Sequence, residues 1–241
     1  ERFFHRSGKT APGVALGIGD DCALLAPTAG QQLAVSSDML VEGRHFLSTV
    51  APDRLGHKAL AVNLSDLAAC GARPLAFTLA LALPRPDAAW LEGFARGLFA
   101  LADAHGCALV GGDTTAGPLN LCITVFGEVP PGQALRRNGA RVGDEVWVSG
   151  TPGEARLALE VFRGTLALPQ AAFERVRARM ETPTPRVALG LALRGIASAC
   201  ADVSDGLAGD LGHILTASGV GACLDTPTAS ILLAQPDQLA L

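Results

Sequence analysis

Several features that would assign a chain to a familiar class are missing from this sequence. Its 241 residues include no tyrosine, and its six cysteines contain no C-x-x-C pair, which argues against zinc sites and disulfide frameworks. No apolar run approaches the roughly 18 residues that a membrane-spanning helix needs, and the first residues lack the apolar centre of a signal peptide. We therefore expect a cytoplasmic protein without a membrane partner, whose cysteines are small buried hydrophobic residues.

Charge is also scarce. Only 17% of the residues are charged, and 19 basic against 23 acidic side chains leave a formal net charge of −4. The basic residues are spread out, which argues against a nucleic-acid partner. Only Lys9 and Lys58 are lysines, and no G-x-x-x-x-G-K-[ST] phosphate loop is found. A nucleotide-using enzyme with this sequence would rely on acidic residues and metal ions instead.

The hydrophobic residues, 49% of the total, are sufficient for a substantial core. A nearly continuous apolar stretch over residues 55–71 predicts a buried helix, and an amphipathic pattern over 87–106 predicts another. The stretches 75–83 and 119–129 have almost no polar residues. We expect both to be strands that are covered on two faces, by helices or by a partner subunit.

The pattern starts again after the glycine-rich stretch 139–143, which indicates two domains over residues 1–138 and 139–241. Because the apolar pattern is still running over residues 231–241, we expect the chain to be truncated at its C-terminus. The second part is predicted to contain strands over 145–149 and 199–203 and helices over 153–162, 170–180, 186–196 and 207–218.

The most unusual polar residue is Asp66, in the second half of the predicted buried helix. An ionised carboxylate in apolar surroundings costs several kcal/mol, by rough estimate, unless cations or hydrogen bonds meet it. A core aspartate that caps a neighbouring loop would explain Asp66 if it were alone. Five further aspartates, however, stand at predicted turns or strand ends: Asp21, Asp38, Asp113, Asp202 and Asp205.

Two predicted strands end in oxygen-rich segments. The strand over 32–35 is expected to stop at Ser36-Ser37-Asp38, whose hydroxyl and carboxylate oxygens suit a hard cation, although a simple Asx or Ser turn is the alternative. The strand over 108–110 is expected to run into Gly111-Gly112-Asp113-Thr114-Thr115. There the bare glycine amides suit phosphate oxygens, and the Asp and Thr oxygens suit Mg²⁺.

Further polar residues have both a structural and a functional explanation. Ser204 or Asp205 can cap the helix that begins at Leu207, but capping does not account for both. Arg136 and Arg137 can be a solvated pair or can bind phosphate. If the six aspartates converge, Mg²⁺ ions that carry nucleotide phosphates would neutralise them, and the chemistry would be phosphoryl transfer without a covalent nucleophile.

Five motifs, in this order, make the chain similar to a known family: G-I-G-D-D at 17–21, S-S-D at 36–38, N-L-S-D-L-A-A-x-G-A at 63–72, G-G-D-T-T at 111–115 and D-x-S-D-G at 202–206. The chain resembles the thiamine-monophosphate kinases (thiamine-phosphate kinases) of the aminoimidazole-ribonucleotide-synthetase-like ATP-binding superfamily. The resemblance implies direct, in-line transfer of the ATP γ-phosphoryl group to thiamine monophosphate, giving thiamine diphosphate and ADP, with no assigned catalytic side chain.

The same resemblance implies an α/β (α+β) two-domain fold and a set of site residues. The mixed sheet of an N-terminal α/β domain would form a barrel across a homodimer, and a partial α+β domain would follow. His45, which could otherwise be a solvated loop residue, would contact the substrate. The implied ATP contacts are Gly112, Asp113, Arg137 and Ser204. The implied ligands for several Mg²⁺ ions are Asp21, Ser36, Ser37, Asp38, Asp66, Asp113, Asp202 and Asp205.

The resemblance is incomplete on the thiamine side. Family members continue into a Gly-Gly-Glu-Asp-Tyr-Glu stretch and a later tryptophan that help to hold thiamine, so we expect those contacts beyond residue 241. One alternative is another ATP-using enzyme of the superfamily, such as a purine-ring synthetase, a selenophosphate synthetase or a hydrogenase-maturation protein. A second is a catalytically inactive nucleotide-binding dimerisation module, against which the six retained carboxylates argue.

Overall fold

A computed structural model of the chain describes residues 2–6 and 11–225. The chain forms two packing units, one of Glu1–Ala134 with Glu181–Ile196 and the other of Leu135–Met180 with Ala197–Leu241. The domain bounds 1–138 and 139–241 stay a prediction, and the expected truncation at 231–241 lies outside the described residues. None of the helices in the described part of the chain has the length and hydrophobicity needed to cross a bilayer.

A four-stranded mixed sheet is the centre of the first unit, as the fold class predicts. The strand β6 (Asn120–Val129) runs antiparallel to β3 (Gln32–Val41) on one side and to β4 (Arg73–Leu83) on the other. The strand β5 (Ala108–Ala116) pairs in parallel with β4. The order is therefore β3-β6-β4-β5, and β3 and β5 are the two edges of this sheet.

The two faces of this sheet have different surroundings. Asp38 of β3 is level with Ile123 of β6 and Leu79 of β4, and both of these apolar side chains are buried in the core. The next residue of β3, Met39, is 57% exposed. Because side chains alternate along a strand, one face packs on helices while the other presents apolar side chains at the surface. We call the second face the open face; its exposed large apolar residues on β3 are Leu33, Val35 and Met39.

Two helices cover the buried face. Helix α1 (Pro52–Ala69) packs against β3, β4 and β6, and α2 (Ala88–Ala104) packs against α1 and β5. A Cβ atom added at Gly56 would lie 2.1 Å from the Phe94 carbonyl oxygen, and one at Gly97 would lie 1.8 Å from that of Asp53. Only glycine fits at these two points, so the backbones of α1 and α2 pack closely. Both helices were predicted from the apolar pattern and are confirmed.

Smaller elements complete the first unit. The short strands β1 (Val14–Leu16) and β2 (Leu24–Leu25) pair antiparallel, and the G-I-G-D-D segment connects them. Helix α5 (Val187–Ala192) packs against α1, where Gly190 allows close approach to the Ala68 carbonyl. The prediction of a longer helix over 186–196 is wrong, because the chain leaves the helix at Leu193 and Gly195 has a positive φ.

The second unit contains the helices α3 (Glu154–Phe162), α4 (Gln170–Glu181) and α6 (Leu207–Ser218), close to their predicted bounds. Glu154 at the start of α3 is buried and accepts hydrogen bonds from Arg175 and Arg179 of α4. A buried carboxylate is tolerated because it is paired with cations. These contacts join α3 to α4.

The predicted strands over 145–149 and 199–203 are not found. A strand requires hydrogen bonds from a neighbour, and an alternating apolar sequence does not supply one. Within the described residues, neither segment has a ladder partner. The apolar side chains of Val146 and Trp147 are correspondingly exposed.

Two other predictions need correction. The strands β3 and β5 do not end at Val35 and Val110 but continue through the S-S-D and G-G-D-T-T motifs. None of the six cysteines forms a disulfide in the described residues, but Cys22, Cys70 and Cys223 are exposed, so the expectation that every cysteine is buried is wrong for these three. Cys22 and Cys223 lie outside the helices and strands, and Cys70 follows the last residue of α1, so these thiols are not packed in the core.

Candidate functional site

The residues with the clearest chemistry lie where α1 meets β3. Ser36 and Asp38 are two positions apart on β3 and share the face toward the helix. The Ser36 hydroxyl donates to Asp66 Oδ2 of α1 over 2.5 Å, and the Asp38 backbone amide donates to Asn63 Oδ1 over 3.1 Å. Because Asn63 and Asp66 are three residues apart, they lie on one face of α1. Two hydrogen bonds thus connect this helix to the strand.

We call the carboxylates of Asp38 and Asp66 the acidic pair. Burial raises the pKa of Asp38 above its ordinary value, and the nearby charge of Asp66 raises it further, while a protonated His45 would act in the opposite direction. Two carboxylates that repel each other at a partly buried position would be stabilised by a cation. Asp66 itself is half-buried, and its role as a metal ligand stays a prediction.

The loop after β3 holds His45 close to the acidic pair. The Val41 backbone amide donates to His45 Nδ1 over 3.0 Å, and Lys58 Nζ of α1 donates to the His45 carbonyl over 2.7 Å. A ring nitrogen that accepts a hydrogen bond carries no proton, so the proton of this imidazole is assigned to Nε2. The side chain of His45 is exposed, and Nε2–H is available as a donor.

Ser37 faces away from the acidic pair. Its hydroxyl lies 2.9 Å from Thr124 Oγ1 on the exposed side of the sheet, as alternation along β3 requires. The sequence analysis placed S-S-D at the end of a strand, where its hydroxyl and carboxylate oxygens would suit a hard cation. Because these residues continue a strand, only Ser36 and Asp38 share the side of Asp66.

Gly112 and Asp113 lie on the opposite edge strand. Three strand spacings separate β5 from β3, or about 14 Å, so the structure does not bring Asp113 to the acidic pair within one chain. A Cβ atom at Gly112 would lie 1.9 Å from the Leu79 carbonyl oxygen, and its φ is +138°. Gly112 therefore has a structural reason to be glycine that is independent of a ligand.

Asp21 lies in the connection between β1 and β2, where it is exposed. The carboxylate of Asp20 accepts a hydrogen bond from the Asp21 amide, so Asp20 stabilises the turn. No group of three or more His, Cys, Asp or Glu side chains within the described residues is arranged to hold a metal ion.

The predicted residues of the second unit lie on two neighbouring segments. The Cys200 amide donates to the Arg136 carbonyl over 2.9 Å, so the chain that leads to the D-x-S-D-G motif runs beside Arg136 and Arg137. The Ser218 hydroxyl also donates to the Arg137 carbonyl over 3.1 Å. The Arg137 side chain is exposed, as is Ser204.

The D-x-S-D-G loop is held by a residue that the sequence analysis missed. Buried Asp210 of α6 accepts hydrogen bonds at Oδ2 from the backbone amides of Ser204, Asp205 and Gly206, over 2.9, 3.0 and 3.1 Å. Neither Ser204 nor Asp205 caps α6, which has Gly206 at its N-cap and no side-chain cap. The signal in the sequence was an aspartate in the first turn of a helix, where it can accept from free amides.

The donor set at the acidic pair fits Mg²⁺. It consists of two carboxylates and one hydroxyl, all hard oxygen ligands, and Mg²⁺ is usually held by one or two carboxylates together with water and substrate phosphates. The sulfur atoms that would favour a softer metal do not take part. We conclude that Asp38, Asp66 and Ser36 are chemically suited to a magnesium ion.

The sequence matches two family models. The model described as AIR synthase related protein, N-terminal domain, matches residues 19–129, and the corresponding C-terminal domain model matches residues 141–240. The two models together span most of the chain. They agree with the fold class predicted from the motifs.

Several thiamine-monophosphate kinases are similar to this chain in sequence and in structure. The enzyme of Salmonella typhimurium (strain LT2) is 50% identical over 225 residues, which are 93% of this chain and 69% of that protein. The crystal structure of thiamine-monophosphate kinase from Stenotrophomonas maltophilia K279a is 53% identical, with a TM-score of 0.81 over 86% of this chain and 67% of that one. A solved structure of AaThiL complexed with AMPPCP and TMP is 31% identical, with a TM-score of 0.74 over 80% of this chain and 62% of that one. The chain therefore belongs to the thiamine-monophosphate kinase family, within the AIR synthase related proteins.

Proposed function

We propose that this chain catalyses the ATP-dependent phosphorylation of thiamine monophosphate to thiamine diphosphate, with Mg²⁺ as its metal. Family membership supports the reaction, and the complex of AaThiL with AMPPCP and TMP supports the two substrates. The observation in this structure that carries the proposal is the acidic pair with its Ser36 hydroxyl, gathered between α1 and β3.

In the proposed reaction, an oxygen of the thiamine monophosphate phosphate attacks the γ-phosphorus of ATP. The bond from that phosphorus to the oxygen bridging to the β-phosphate breaks, and ADP leaves with the electron pair. Because the attacking phosphate oxygen is already ionised at neutral pH, no general base is required and no catalytic side chain is assigned. Bound Mg²⁺ would neutralise charge on the phosphates.

The residues of the chain hold and orient these groups. Asp38, Asp66 and Ser36 would hold a magnesium ion on the helix face of β3. Metal-binding roles for other residues rest on their motif positions, and for Ser37 the exposed hydroxyl argues against side-chain ligation. The residues with motif-based roles are Asp21, Asp113, Asp202 and Asp205.

His45 is proposed to contact the substrate through Nε2–H. The Val41 amide fixes the tautomer, and Lys58 holds the backbone of the loop. A neutral donor is suited to a phosphate oxygen. Gly112, Asp113, Arg137 and Ser204 are proposed as ATP contacts, with Arg137 as the cation among them.

Two further statements belong to this proposal. The exposed apolar residues of the open face, Leu33, Val35 and Met39, support a homodimer through the N-terminal domain, in which the sheet could complete a barrel. The absence of disulfides among the six cysteines, all of which lie in the described residues, supports a reducing compartment, and we propose the cytoplasm.

The test is to incubate the purified protein with Mg·ATP and thiamine monophosphate and to quantify thiamine diphosphate and ADP. We expect the two products in equal amounts. Turnover of an aminoimidazole-ring precursor without thiamine diphosphate would replace the kinase by a sister enzyme. Binding of Mg·ATP with no turnover of either acceptor would favour the inactive dimerisation module.

A further inference from the structure

Asn63 is a buried polar residue whose hydrogen bonds point to a role beyond helix packing. Its side chain is fully buried, with 0% exposure, in an otherwise apolar part of α1. Nδ2 donates to the Ala59 carbonyl one turn earlier over 2.9 Å, and Oδ1 accepts from the Asp38 amide over 3.1 Å. Both ends of the amide are therefore used, and the first bond fixes the direction of the second.

The bond to Asp38 is unusual for a strand. In a β-strand, a backbone amide points either to the neighbouring strand or away from it. Since β3 has β6 on one side only, an Asp38 amide that meets a helix side chain points to the free edge of the sheet. Such an amide would otherwise bond to water or to another strand. In this structure Asn63 of α1 accepts the hydrogen bond from this amide. The amide belongs to Asp38, which also carries one carboxylate of the acidic pair.

A second hydrogen bond, two residues away on β3, fixes which residues of α1 lie beside which residues of the strand. Ser36 bonds to Asp66 while Asp38 bonds to Asn63, so two positions of β3 meet two positions of α1. Two hydrogen bonds of this kind determine how the helix lies along the strand. They thereby determine how the carboxylate of Asp38 faces that of Asp66.

We propose that Asn63 is a positioning residue for the acidic pair: it fixes the backbone of Asp38, and so the geometry in which Asp38 and Asp66 bind a divalent cation. This inference rests on the proposed metal role of the pair. Oδ1 of Asn63 is directed at the Asp38 amide, so we assign Asn63 an effect through the Asp38 backbone and not a place among the ligands. Partners that orient metal ligands typically contribute 10–100-fold to metal affinity.

The test compares Asn63→Leu, which keeps the size but lacks the acceptor, with Ser65→Ala as a matched control. Ser65 makes a similar bond within α1, to the Ala61 carbonyl over 3.1 Å, but does not contact β3 by a hydrogen bond in the described structure. Two quantities are measured: Mn²⁺ binding by calorimetry and, without metal, exchange of the Asp38 amide by NMR. Asp66→Asn identifies the Mn²⁺ site that belongs to the acidic pair.

We expect Asn63→Leu to speed exchange of the Asp38 amide about tenfold and to weaken that Mn²⁺ site about 10–100-fold, whereas Ser65→Ala changes neither. If the leucine variant does not fold, Asn63→Ala is measured in the same way.

Three results would overturn the proposal. Unchanged Mn²⁺ binding with faster exchange would make Asn63 purely structural, and weaker binding with unchanged exchange would place its effect elsewhere than at Asp38. Wild-type protein without an Mn²⁺ site that Asp66→Asn removes would overturn the metal role of the pair, and with it this inference. That last failure is visible from the wild type and Asp66→Asn, without any variant of Asn63.

Discussion

At the scale of single residues, the candidate site depends on side chains whose backbone is held by neighbouring polar residues outside the predicted set. Asp66 could be recognised from the sequence because an ionised aspartate in an apolar helix costs free energy unless cations or hydrogen bonds stabilise it. Asn63 and Asp210 could not, since their importance lies in the backbone amides that they bind. Sequence spacing shows which residues share a helix face, but not which strand or loop that face meets.

Asp210 gives a prediction at this scale. Asp210→Ala removes the acceptor of three backbone amides, so the D-x-S-D-G loop should lose its fixed conformation. We expect the affinity for Mg·ATP to fall about tenfold and the free energy of unfolding to fall by about 1–3 kcal/mol. Calorimetry and urea unfolding measure the two effects. Asp210→Asn, which retains an acceptor, should lose less of each, and wild-type ATP affinity in Asp210→Ala would refute the role of this loop.

Glu128 gives a prediction for pH dependence. Although burial opposes ionisation, hydrogen bonds from Thr28 and Arg73 hold the pKa of Glu128 below its ordinary value. The folded state thus favours the carboxylate, and this stabilisation is present above the unfolded pKa of about 4.3 and is lost as pH falls through the folded-state pKa.

The matching experiment is urea unfolding of wild type and Glu128→Gln at several pH values. At pH 7 the variant should be less stable by about 1–3 kcal/mol, because a charge-assisted hydrogen bond is lost. The difference should shrink as pH falls below about 4.3. A difference that does not depend on pH would show that ionisation of Glu128 is not the source of its contribution.

At the scale of helices and strands, the sequence predicted local structure better than pairing. The apolar pattern identified α1, α2, β4 and β6, because burial on one or more faces leaves a visible period. It ended β3 and β5 too early, since glycines, serines and aspartates favour turns when isolated but are tolerated in strands that already have neighbours. It also predicted strands over 145–149 and 199–203, which have no ladder partner in the described part of the chain.

The crossing of α1 and α2 gives a prediction at this scale. Gly56→Ala would place a Cβ atom 2.1 Å from the Phe94 carbonyl oxygen, so the two helices would have to separate. We expect a loss of about 1–3 kcal/mol or more in the free energy of unfolding, as for other overpacked cores. Gly212→Ala, within α6 and with no atom within 4 Å of the added Cβ, is the control.

For Gly212→Ala we expect a gain of up to about 1 kcal/mol, because alanine favours the helix. Thermal unfolding of both variants measures the contrast. Equal stability changes in the two would mean that close packing at Gly56 contributes nothing.

At the scale of the whole molecule, the open face of the sheet exposes apolar side chains of β3 that the described part of one chain does not cover. Its β3 residues include Val35, which is 59% exposed beside exposed Leu33 and Met39. The sequence predicted strands without a polar face, and the structure shows which of their side chains lie at the surface. The two-domain division could be anticipated from where the pattern restarts, but not the return of residues 181–196 to the first packing unit.

A homodimer through this face predicts a concentration-dependent change. Val35→Lys places a charge in the apolar patch and should weaken self-association by at least about tenfold, measured by analytical ultracentrifugation. Val142→Lys is the control, because Val142 is 94% exposed in the second packing unit. A wild-type protein that stays monomeric at all concentrations would rule out the proposed dimer.

The most direct test of the central claim is the rate at which thiamine diphosphate forms from Mg·ATP and thiamine monophosphate, in the wild type and in Asp66→Asn. The substitution keeps size and hydrogen bonding but removes one charge of the acidic pair, with Ser65→Ala as a control on the same helix. We expect Asp66→Asn to keep its fold, to lose metal-dependent ATP binding and to slow product formation by at least about 100-fold. A folded Asp66→Asn protein with wild-type ATP affinity and rate would show that Asp66 is structural and would contradict the account.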